Sequence, residues 1–178
     1  MLSVADADLL VTRYLNDTPR ASHSRFVAYI MRKLAETLAA PVELWEVVGL
    51  CHDLDFFHIA GDWSRHGLVT IEWLGDGIPA DAQQAIAAHD HRTGVKADTV
   101  LADSLKAADA IAIIDERLGR LHFLNAGSAN PFAMLRGQLG HRNYLSDMLE
   151  GYCEKHALPF ERIAGIVAGA PEQKAAQN

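Results

Sequence analysis

The chain has only two cysteines, Cys51 and Cys153, too few for the disulfide framework that braces small secreted domains. It has no basic excess either. Sixteen Lys and Arg face 23 Asp and Glu, a formal net charge of −7, which argues against nonspecific attraction to nucleic acid or an anionic membrane. A small-molecule substrate is favoured over a polymer. No window approaches the roughly 20 apolar residues that a spanning helix requires. The opening "MLSVADADLL" lacks the basic start and long apolar core of a signal peptide, so the cytoplasm is the expected compartment. No Ser/Gly/Pro-rich linker, internal repeat or convincing strand pattern interrupts the chain. These absences leave an ordinary globular composition, 49% hydrophobic and 22% charged. The reading is an all-α protein: one helical domain over residues 1–170, with a flexible tail at 171–178.

Apolar positions recur at helical spacing. Phe26, Val27, Ile30, Met31, Leu34 and Leu38 share one face of a helix that Ser22 can cap and Pro41 would end. A second helix opens at Pro41 and ends near His52 and Asp53. A third is expected over residues 63–74, with His66 in its first turn and Gly75 as its stop. "IPADAQQAIAAHDH" places Pro79 and Asp81 near a helix start and His89 to His91 near its end. Residues 98–116 suit a long buried helix with Asp109 in the middle. "GRLHFLNAGSANP" reads as a loop, and further helices fit 132–139, 143–157 and 160–168.

Within this frame, "LCHDLDFFH" crowds His52, Asp53, Asp55 and His58 into seven positions just past an apolar helix. Such groups are costly to bury unless paired or coordinated to a metal. His23, His66, His89 and Asp109 come from other elements, each at a helix end or on an apolar-bearing face. Imidazole and carboxylate are the donor types for Mn, Fe, Zn or, with more oxygen donors, Mg. Nothing supplies a thiolate cluster.

The order His23, His52-Asp53, Asp109 resembles the HD superfamily of metal-dependent phosphohydrolases. "LCHDLDFFH", "RHGLVTIEWL", "IPADAQQAIAAH" and "LADSLKAADAI" are similar to the ordered blocks of its small hydrolases. The resemblance covers residues 22–116 as a metal-binding core, leaving 117–170 as a helical extension. It implies one or two divalent ions (Mn, Fe, Mg, Co or Zn). His23, His52, Asp53 and Asp109 would hold the first. His66 and His89 would complete a second, with Asp53 bridging. Against the His-His or His-Asn of many relatives the chain has His89-Asp90-His91, and His89 is favoured because Ala85 and Ile86 place it on the inward face.

Two ions would generate a hydroxide and screen a phosphoryl group. Lys106, three positions before Asp109, is a candidate for contacting a substrate phosphate, and Asp55 for handling a proton. Arg92 and Lys96 would add positive charge at the pocket mouth. The leading expectation is a hydrolase that releases phosphate from a small phosphomonoester, including a nucleotide, by metal-bound hydroxide. A di-iron oxygenase cleaving a C–C or C–P bond is the alternative on the same scaffold. A noncatalytic metabolite-binding module is the third.

Overall fold

The computed structural model describes residues 1–124 and 130–171, and all regular structure in them is helical, as the spacing predicts. The chain divides into two compact units, Met1–Lys106 and Ala107–Pro171. The change falls inside a continuous helix, so no linker composition marks it.

The first unit opens with α1 (Val4–Leu15), a helix the apolar pattern did not announce. Ser3 caps it, its hydroxyl accepting from the Asp6 amide at 3.1 Å. Next, α2 (Pro19–Leu38) begins three residues before Ser22, because Pro19 takes the first helical position, where a missing N–H costs nothing. Its buried stripe is His23, Phe26, Val27, Ile30, Met31 and Leu34, so His23 continues the apolar face. Ala39, in the left-handed conformation, stops the helix. α3 (Val42–Cys51) packs on both α1 and α2. At its crossing with α2 a Cβ on Gly49 would lie 2.6 Å from Ala28 Cα, so only glycine permits this close backbone approach.

The expected helix over 63–74 is broken. A short 3₁₀ turn (Trp63–Arg65) is followed by extended His66 and by Gly67 at φ +79, and only then by α4 (Leu68–Leu74). The positive φ of Gly67 ends any continuous helix there. α5 (Ala80–Ala88) packs on α3 and α4, and α6 (Val100–Leu118) carries the chain into the second unit.

In the second unit, α7 (Arg120–Leu124) forms within the stretch expected as a loop, while residues 125–129 lie outside the described ones. α8 (Pro131–Leu139), α9 (Tyr144–Lys155) and α10 (Phe160–Ala168) follow, close to their expected positions. α8 packs on α9 and α7 on α10. The core holds Phe123, Leu135, Leu149, Ile163 and Val167, with Phe132 edge-on to Phe160 at 5.2 Å. Burying each large apolar side chain contributes roughly 1.5–3 kcal/mol. The tail expected at 171–178 falls, from residue 172, outside the described residues.

Candidate metal centre

Four histidines surround one carboxylate. His23 projects from the buried face of α2, and His52 and Asp53 follow the last turn of α3. His66 sits in the break before α4, and His89 closes α5. Asp53 Oδ2 lies 3.4 Å from His52 Nε2 and 3.8 Å from His23 Nε2. Its Oδ1 lies 2.9 Å from His66 Nε2 and 3.7 Å from His89 Nε2. The two carboxylate oxygens thus face different pairs of imidazoles, and all five side chains are buried.

The ring orientations are fixed from behind. His52 Nδ1–H donates to the Gly49 carbonyl at 2.8 Å, and His89 Nδ1–H to the Ile86 carbonyl at 2.6 Å. A carbonyl only accepts, so Nδ1 carries a proton and Nε2 is the nitrogen turned toward Asp53. His66 Nδ1 donates instead to Asp55 Oδ1 at 2.7 Å.

His52 and His89 therefore turn Nε2 toward a carboxylate, and a shared cation would satisfy both kinds of donor atom. One donor atom from each of His52, Asp53 and His89 lies within 4.8 Å of the others, a grouping that could hold a divalent ion. The donor set fits the expected metal. Without one, a proton does part of the same work. Burial opposes the His66 imidazolium, but hydrogen bonds to Asp53 and Asp55 outweigh it and push its pKa up to about 9. Burial likewise acts to raise Asp53, yet His52, His66, His89 and Arg20 hold its carboxyl well below the usual range.

Gly67 explains the glycine after His66. A Cβ there would lie 2.6 Å from the Ile86 carbonyl oxygen, the atom that orients His89, and 3.3 Å from the His89 ring. Only glycine lets the start of α4 approach this closely.

The other expected residues take varied places. Asp55 is fully buried, with Oδ1 on His66 and Oδ2 accepting from the Gly67 amide at 2.7 Å and the Thr70 amide at 3.1 Å. His91 has an 84% exposed side chain and pairs with Asp90, not Asp53. His58 packs edge-on against Trp73 at 5.0 Å, and Tyr14 stacks on the same indole at 4.5 Å. Lys106 and Asp109 are both half-buried on α6, Asp109 beyond the point where the second unit begins. Burial pushes the Cys51 thiol up to about 12, as suits a packed residue.

Arg20 escaped the sequence reading. Its Nη1 donates to Asp53 Oδ2 at 2.9 Å and its guanidinium lies 4.1 Å from the Phe56 ring centroid. Arg92 lies 4.0 Å from the Trp63 ring centroid and is held by Asp90. Both rings pack edge-on toward His66. No local motif marks Arg20, although its position one turn before His23 places both on one helix face.

A family model described as HD domain matches residues 20–114. The chain belongs to the HD domain family, a superfamily of the metal-dependent phosphohydrolase type. Comparison with curated proteins found no match. Comparison with solved structures found none either.

Proposed function

We propose that the protein is a metal-dependent hydrolase releasing phosphate from a small phosphomonoester, a nucleotide being one candidate. The observation that carries this reading is the Asp53 carboxylate, with two imidazoles on each oxygen and the Arg20 guanidinium on Oδ2. His23, His52 and Asp53 would hold one divalent ion, to which the family's order of ligands adds Asp109. His66 and His89, together with Asp53, would hold a second ion. When bound, such ions acidify a water molecule and neutralise charge developing on a phosphoryl group.

The chain's own groups bind and orient the substrate. Arg20 and Arg92 stand as guanidinium groups on aromatic rings beside His66, in a protein of net charge −7. Local positive charge against an acidic background suits an anionic small molecule and disfavours a nucleic-acid polymer or membrane surface. Lys106 supplies a further cation for the phosphate. Asp55, with both oxygens engaged inside the protein, is unsuited to exchanging protons with a substrate. Among the described residues no helix is long and apolar enough to cross a membrane.

Phosphate release from a phosphomonoester panel by the manganese- or magnesium-loaded chain tests the reading. Lys106→Ala should lower turnover while leaving metal content unchanged. Substrate-dependent oxygen uptake by the iron-loaded protein, without phosphate release, would move the assignment to the oxygenase. Tight binding without turnover would move it to the binding module.

A further inference from the structure

Three imidazoles at the centre are each anchored through Nδ1, but their anchors differ. His52 and His89 use carbonyls of the helical turns they close, Gly49 and Ile86. The last carbonyls of a helix lack partners within it, so a histidine at the terminus can use one. His66 has no such resource. It follows a 3₁₀ turn whose Trp63 carbonyl already accepts the His66 backbone N–H, and its own backbone is extended. Its anchor comes from eleven residues upstream: Asp55 Oδ1 at 2.7 Å.

The other Asp55 oxygen is equally committed. Oδ2 accepts from the amides of Gly67 and Thr70, at the start of α4, and the Thr70 hydroxyl in turn accepts from the Asp55 backbone N–H at 3.2 Å. A fully buried carboxylate with both oxygens used inside the protein contacts no substrate. It holds one ring while fastening the adjacent helix start.

We propose that Asp55 is the positioning residue of the second ion position: by accepting the Nδ1 proton of His66 it keeps that ring in the form whose Nε2 can ligate a cation. The inference rests on the metal-centre reading above. A carboxylate behind a ligating histidine also raises the basicity of the ligating nitrogen, and losing such a partner typically costs about 10–100-fold in metal affinity.

Asp55→Asn separates positioning from structure. The amide oxygen would take the place of Oδ2, where two backbone N–H groups require an acceptor. The amide NH₂ must then face His66 Nδ1, which has to accept. The ring proton moves to Nε2, and that atom can no longer bind a metal. The helix fastening survives while the ligand is switched off.

The test loads the full-length protein and Asp55→Asn with manganese. It measures stoichiometry by elemental analysis, affinity by titration, and ion–ion coupling by electron paramagnetic resonance. The expected result is two spin-coupled ions in the wild type and one uncoupled ion in the variant. The weaker affinity should fall at least about tenfold and the tighter one stay within about twofold. Thr70→Val, which disturbs the helix fastening and spares the carboxylate, should keep both ions. Two coupled ions in Asp55→Asn would overturn the inference. A wild-type chain holding a single ion would overturn it while leaving the metal-centre reading intact, and one holding none would remove both. Should Asp55→Asn fail to fold, ¹⁵N imidazole spectra of the zinc-loaded wild type decide instead. A protonated Nδ1 on His66 is expected, and a proton on Nε2 overturns the inference.

Discussion

The two compact units handle polar groups in opposite ways. Among the described residues the first buries nine: His23, Ser24, His52, Asp53, Asp55, His66, Thr70, His89 and Ser104. Among the described residues the second buries only Ser146, inside a core of leucine, isoleucine, valine and aromatic side chains. None of its charged side chains among the described residues is fully buried, and Arg136 spans Asp147 at 2.6 Å and Glu150 at 2.5 Å with its side chain partly exposed. Burying ionisable groups carries a large desolvation cost unless they are paired or coordinated. A unit that concentrates them around one carboxylate gives up stability for chemistry, whereas the other, the proposed ligand Asp109 apart, keeps to an apolar core.

That contrast can be broken by substitution. The largest effect is expected from Asp53→Ala, since both oxygens are involved. Metal content should fall to background by elemental analysis, and His52→Ala and Asp109→Ala should each lower it sharply. Full occupancy in any of the three would remove that residue from the ligand set. Leu149→Ala, in the core of the second unit, should cost about 2–5 kcal/mol in denaturant unfolding and leave metal stoichiometry unchanged. Loss of metal there would show that the division of labour is wrong. Gly67→Ala, forcing a Cβ against the Ile86 carbonyl at positive φ, should weaken metal binding about tenfold through displacement of His89.

The mildest test uses the two thiols, one in each unit. Burial pushes both Cys51 and Cys153 up to about 12, so alkylation at neutral pH requires local opening. Metal loading should slow labelling of Cys51, next to His52, and leave Cys153 unaffected. Equal protection of both would erase the contrast between the units.

Much of this was legible in the residues. The apolar stripe of α2 and the helix ends at His52 and His89 follow from periodicity and end signals. The all-α class follows too. What was not legible depends on long-range contact. Residues 63–74 keep a helical hydrophobic pattern, so the break at His66–Gly67 shows only once the Ile86 carbonyl is seen against Gly67. Asp55 looked available because it follows Asp53 by two. Its amide partners, Gly67 and Thr70, lie 12 and 15 residues downstream. Arg20 reaches Asp53 across 33 residues, a separation no local pattern encodes.

The carbonyl anchors of His52 and His89 tie the retention time of any bound cation to the fraying of short helices. α3 has ten residues and α5 nine, and both ligands hang from the terminal turns, the parts of a helix that open most readily. Escape of such a cation would then need a single turn to unwind rather than the first unit to unfold. A chelator would strip the protein at a pace limited by that unwinding, so its concentration would cease to matter once recapture is suppressed.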